Sequence, residues 1–131
     1  MCEITLVDGL PFVQVVVAYR GREIELNKVL LDTGSGGTVF SADRLLDLGV
    51  RFQRGDTVHR IRGVGGSEFV FNKRVNSVSL GSLRLEDFEI EVGALDYGFE
   101  IDGLLGTAFL EAVGAVIDLR GRQVTCRTAP D

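Results

Sequence analysis

Val29-Leu30-Leu31-Asp32-Thr33-Gly34-Ser35-Gly36-Gly37 is an apolar run that stops on a carboxylate and passes at once into a glycine-rich turn. Glu23-Ile24-Glu25-Leu26, just upstream, alternates with period two, so Val29-Leu30-Leu31 reads as the continuation of a strand. Asp32 therefore stands where a buried strand ends. Taken alone, Asp-Thr-Gly is common turn chemistry: the carboxylate accepts nearby backbone N–H groups and the glycine supplies an unusual φ. A phosphate-cradling loop is the second option, and it fails in detail. Counting from Gly34, G-x-G-x-x-G needs a glycine at 39, which is Val39, and no Gly-Lys-Ser/Thr follows. Asp32 would also repel phosphate.

Working outward, Pro11 to Tyr19 is apolar but for Gln14 and reads as a strand buried on both faces, turned by Arg20-Gly21. Downstream, Ser41 is a helix N-cap, Asp43 suits the first turn and Gly49 is a stop, which predicts a short helix over about 42–48. Phe40 and Leu45 have the spacing of a hydrophobic staple across that cap. Ile61 to Phe71 has a glycine-dense centre between extended flanks and predicts a hairpin. Val75 to Leu80, Gly81-Ser82 and Leu83 to Val92 predict another. In its second arm the apolar phase changes at Glu86-Asp87, which predicts a β-bulge. Gly93 to Phe99 reads as a loop, 107–113 as a second short helix stopped by Gly114, and Ala115 to Leu119 with Gln123 to Arg127 as a last hairpin.

The chain is expected to form one all-β domain over 1–131 with two short helices. Its 131 residues suffice for a core that removes roughly two-thirds of the unfolded surface from water. Seventeen glycines, nearly twice the ordinary ~7 %, fit tight turns between strands. Fourteen Lys and Arg against 19 Asp and Glu give a net charge of −5, which argues against nucleic acid as a partner. His59 is the one histidine, and Cys2 and Cys126 lie at opposite ends of the chain. Neither a zinc spacing nor a disulfide framework results, so no metal and no cofactor are expected. The N-terminus has no basic region leading into an apolar run, and no stretch approaches 18 uninterrupted apolar residues. A cytoplasmic location without a membrane span is expected.

Three segments together resemble the retropepsin-like aspartic proteases, the single-domain relatives of pepsin. Leu30-Leu31-Asp32-Thr33-Gly34-Ser35 resembles the catalytic Asp-Thr/Ser-Gly signature. Ile61-Arg62-Gly63-Val64-Gly65-Gly66 resembles the tip of the flap that covers the cleft. Ile101-Asp102-Gly103-Leu104-Leu105-Gly106 resembles the apolar-apolar-Gly segment packed beside the active-site loop. The order is right, and the resemblance spans about residues 12–119.

The resemblance implies a closed β-barrel of the acid-protease type, an aspartic endopeptidase activity and Asp32 as the catalytic residue. Pepsin-like enzymes carry two such motifs, one per lobe, whereas this chain has one. The implied protein is a homodimer with Asp32 of each copy facing the other across a two-fold axis and an extended peptide or protein as substrate. Thr33 is implied to hydrogen-bond across the axis, Gly34 to let the backbone approach the substrate, and Ser35 to hydrogen-bond the outer carboxylate oxygen. That bond would favour the ionised form and place the optimum in mild acid. Gly63, Val64, Gly65 and Gly66 are implied to bind substrate from the flap, and Leu104, Leu105 and Gly106 to support the loop. Asp102, Asp118 and His59 read as structural or surface groups. In viral retropepsins an acidic residue and an arginine brace the dimer at the positions held here by Gly36 and Thr107, so that ion pair is not available. The tail from Arg120 onward is a candidate interface strand. A proteolytically silent dimer that binds extended peptides in the same cleft is the alternative function.

Overall fold

The structure, a computed structural model, describes residues 2–63, 66–95 and 100–126, with the backbone alone at 61–63 and 66–68. Arg20 and Gly21 both have positive φ, 50° and 82°, and turn β3 (Leu10–Tyr19) back onto β4 (Arg22–Leu31). Two such residues in sequence give the turn whose twist matches a right-handed hairpin. Asp8 and Gly9 do the same between β2 (Thr5–Val7) and β3, and Gly81, φ 59°, turns β7 (Gly66–Leu80) into β8 (Leu83–Gly93).

With β5 (Val39–Ser41), β6 (Val58–Gly63) and β9 (Gly103–Leu105) these strands form one sheet in the order β2-β3-β4-β9-β5-β8-β7-β6. A further antiparallel pairing of Val16–Ala18 with Ser77–Ser79 joins β3 to β7 and closes the sheet into a barrel. Val15, Val17, Leu26, Val29, Phe40, Ile90, Val92 and Leu105 fill the interior. Phe12 is buried in a second, outer cluster with Ile101 and Leu104. Beyond it the closed sheet has one inner face, so β3 alternates: Val13, Val15, Val17 and Tyr19 are buried while Val16 and Ala18 are half-buried. The expectation of burial on both faces is corrected accordingly.

Two changes of apolar phase have different causes. Val13 is opposite Val29 and Val15 opposite Leu26, so two residues of β4, Asn27 and Lys28, face the single Gln14. That bulge carries the inward phase from Ile24 and Leu26 over to Val29 and Leu31. Along β7 and β8, by contrast, Val75 faces Phe88 and Ser77 faces Glu86 in one unshifted register. The bulge expected at Glu86-Asp87 is not a register shift. Asp87 instead takes φ 52°, and both strands turn over together, inward residues passing from Val75 and Ser77 to Val78 and Leu80 on β7.

The first helix, α1, spans Ala42–Leu46, with the Ser41 hydroxyl accepting from Arg44 N–H at 3.4 Å. The turn that follows is closed by Gly49 N–H to Leu46 O at 2.9 Å and Val50 N–H to Leu45 O at 3.0 Å, with Gly49 at φ 83°. This is the pairing by which a left-handed glycine ends a helix. The second helix, α2, spans Thr107–Ala112.

The tail hairpin, β10 (Ala115–Asp118) and β11 (Gln123–Cys126), forms a separate sheet with β1 (Cys2–Glu3) in the order β1-β11-β10. Strand β11 is paired with β10 over Gln123–Cys126 and with β1 at Gln123 and Val124.

Candidate active site

Strand β4 runs parallel to β9, Leu30 beside Leu104 and Leu31 beside Leu105, and Asp32 N–H continues the pairing to Leu105 O at 3.0 Å. The chain then turns: Ser35 N–H donates to Asp32 O at 3.1 Å and Gly34 N–H to Asp32 Oδ1 at 3.0 Å. This leaves the carboxylate half-exposed beyond a rigid strand end, with an exposed Thr33 beside it. A side chain at 34 would begin 3.3 Å from Asp32 Oδ1.

The loop is strapped to the segment that opens α2. Thr107 N–H donates to Ser35 O at 2.8 Å and Ala108 N–H to Gly36 O at 3.0 Å. The first-turn donors of α2 are thereby satisfied by the loop carbonyls. The Thr107 hydroxyl lies between two acceptors, Ser35 O at 2.9 Å and Thr33 O at 3.1 Å. From below, Gly106 N–H donates to the hydroxyl of the buried Thr38 at 3.2 Å. Gly106 itself is required by contact: a Cβ there would run into the Gly37 carbonyl and stand 2.8 Å from Ser35 O.

One expectation changes here. The Ser35 hydroxyl donates to Gly37 O at 3.1 Å, spanning its own turn, and not to the Asp32 carboxylate. Thr107, which stands where the viral enzymes place an arginine, makes its bonds within the chain. Leu104, Leu105 and Gly106, expected to support the loop, take part in the pairings just given. Of the flap residues, Gly63 and Gly66 face each other at the end of the β6–β7 ladder. Val64 and Gly65 lie outside the described residues, as do 96–99 of the Gly93 to Phe99 loop and Arg127 of the last hairpin.

Asp102 is structural, as expected, though its task is larger than a turn. Its buried Oδ2 accepts Asn27 N–H at 3.2 Å and Lys28 N–H at 3.1 Å, the two donors released by the β4 bulge. Its own backbone links Lys28 O to Ser41 N–H, at 2.8 and 2.9 Å. Asp118 Oδ1 accepts Gly121 N–H at 2.8 Å in the tail turn. His59 is partly exposed, with Nε2 3.5 Å from Glu91 Oε1. Burial pushes the Cys2 thiol up, and Cys126 Sγ donates to Val113 O at 3.3 Å. Among the described residues no group of three or more His, Cys, Asp or Glu is arranged to hold a metal ion.

Some participants carried no signal in the sequence. Thr38 follows two glycines like any turn residue, and the partners of Asp102 become visible only once β4 and β9 are side by side. Lys73 is another: its buried ammonium bonds Asp56 Oδ2 at 2.7 Å and Gln53 Oε1 at 3.3 Å, pinning the 51–57 segment to β7.

The structure thus sets a carboxylate at a strand end, a loop strapped beneath it and a long hairpin beside it. The aspartyl protease family model matches residues 13–109, most of the chain, and the protein belongs to that family. Among solved structures it is similar to a retropepsin-like aspartic protease from Rickettsia conorii. The TM-score is 0.64 and the identity 21 %, over 90 % of this chain and 92 % of that one. At this identity the likeness is one of fold, and the fold is the all-β retropepsin-like one. No curated protein matches the chain. No helix among the described residues is long and apolar enough to cross a membrane.

Proposed function

We propose that the protein is an aspartic endopeptidase whose active site forms between two copies of the chain, Asp32 of one facing Asp32 of the other. The observation that carries this reading is the placement of Asp32: a half-exposed carboxylate on a loop that its own chain holds by backbone bonds from Leu105, Thr107 and Ala108. Hydrolysis of a peptide by carboxyl groups alone needs one to take a proton from water and another to hydrogen-bond the scissile carbonyl. Two carboxyls about 3 Å apart share a single proton, because both cannot ionise at that distance, and so supply base and acid together. The proton belongs to the pair. The attacking water adds directly, without a covalent enzyme intermediate. The β6–β7 hairpin closes over an extended substrate, pairing with its main chain and excluding water.

The Ser35 hydroxyl, committed to Gly37 O, is not available to the carboxylate. Activity is therefore expected close to neutrality, the range in which an acidic chain of pI near 4.9 also keeps the net charge that holds it in solution.

Sedimentation mass and cleavage of a mixed peptide library between pH 4 and 7, for wild type and Asp32→Asn, test the proposal. A dimer that cuts, and whose Asp32→Asn variant does not, is the expected result. A monomer at micromolar concentration, or a variant that still cuts, overturns it. A dimer that binds peptides and cuts none leaves the silent peptide-binding module in its place.

A further inference from the structure

Residues opposite one another in a ladder share a face of the sheet. Leu30 is opposite Leu104, Leu104 opposite Val39, Val39 opposite Glu91 and Glu91 opposite Asn72. These five therefore form one row across four inter-strand steps, on the face turned away from the barrel core that holds Leu31, Leu105, Phe40 and Val92. Asp32 follows Leu30 by two residues and opens on the same face. So does His59, which is opposite Val70, two residues before Asn72. The row thus runs from the reactive carboxylate to a second carboxylate, Glu91, at the base of the flap hairpin.

Glu91 lies against the active-site loop. Its N–H donates to Thr38 O at 2.9 Å, and its Oε1 sits 2.7 Å from where a side chain at Gly37 would begin. The absent side chain at 37 leaves room for this carboxylate, which is only 20 % exposed. Among the described residues its one ionic neighbour is His59 at 3.5 Å, beyond the ~2.7–2.9 Å of a charge-assisted hydrogen bond, and an imidazole is a cation only when protonated. On the other side, Asn72 Oδ1 is buried and accepts no bond. Arg74, two residues further along β7, is turned to Asp87, with Nη1 2.7 Å from its carbonyl. A half-buried carboxylate without a strong partner is costly. Among the described residues, what it lacks is a close cation.

We propose that Glu91 is a specificity-determining residue that selects substrates with a lysine or arginine side chain. Three strand spacings of ~4.8 Å separate it from the Asp32 strand, about 14 Å, which an extended peptide covers in about four residues. Allowing for the reach of a basic side chain, that side chain lies roughly two to four residues from the scissile bond. The proposal rests on Asp32 as the reacting carboxylate.

Fluorescent eight-residue peptide pools, each with lysine or norleucine fixed at one position and the rest mixed, are offered to wild type and to Glu91→Gln. The expected result is a position at which lysine is preferred over norleucine by about ten-fold in kcat/KM, the worth of a half-buried charge-assisted bond, with the ratio falling towards one in Glu91→Gln. No such position, or a ratio unchanged by Glu91→Gln, overturns the proposal. The same ratio is read by fluorescence anisotropy of the pools on Asp32→Asn and on Asp32→Asn/Glu91→Gln. Wild type that cuts no pool sinks the endopeptidase reading alone, because the binding ratio still decides whether Glu91 selects a basic side chain.

Discussion

Asp102 shows how much one buried side chain settles in this barrel. Both N–H groups freed by the β4 bulge converge on its Oδ2, and they have no other acceptor in the ladder. Removing the acceptor leaves two part-buried donors unsatisfied. Asp102→Ala is expected to lower stability by about 2–4 kcal/mol, read from the urea midpoint at unchanged slope. Asp102→Asn keeps one carbonyl oxygen where both donors point and is expected to cost about 1 kcal/mol. At this scale the sequence was legible where chemistry forces a pattern. Asp32 stood out because a carboxylate ends an apolar strand before glycine. Ser35 did not disclose its partner, because a hydroxyl beside a turn has several acceptors within reach and the loop's path chooses Gly37 O.

Elements reach beyond their ends through side chains that periodicity does not register. The 51–57 segment has no regular structure, yet Lys73 on β7 holds it through Asp56 and Gln53, and Phe52 packs edge-on to Phe71 with ring centres 5.6 Å apart. The Lys73 hydrogen bond, aided by Gln53 N–H, holds the Asp56 carboxyl below its ordinary value of 3.8. A carboxyl lowered on folding stabilises the native state at pH values above its unfolded value, and the contribution is lost as pH falls through the folded one. The stability difference between wild type and Asp56→Asn is therefore expected to be constant from pH 7 to 5. It should shrink only below 3.8, as followed by urea unfolding at each pH. A difference that disappears between pH 7 and 5 would refute this assignment. Element types and turns were legible from alternation and glycine placement. The two phase changes looked alike in sequence and are not: a bulge shifts one strand against its partner, whereas β7 and β8 turn over together at Asp87 and keep their register.

For the whole molecule, barrel closure depends on Val16–Ala18 meeting Ser77–Ser79, residues some sixty positions apart whose pairing no local pattern announces. The all-β class was legible; the way the sheet closes was not. The same limit applies to any second copy: Val116 and Leu119 are exposed at the β10 end of the small sheet, and no local pattern marks them as an interface. A shared active site has a signature that needs no knowledge of that interface. If Asp32 works only against another Asp32, an inactive subunit removes an active one from service. A fixed amount of wild type mixed with an equal amount of Asp32→Asn, and left to exchange subunits, keeps about half its wild-type pairs; a three-fold excess leaves about a quarter. Peptidase activity should follow those fractions, and at low protein concentration it should rise more steeply than linearly. Activity that stays constant as Asp32→Asn is added, once mass measurements show that mixed dimers form, would place a complete site within one chain.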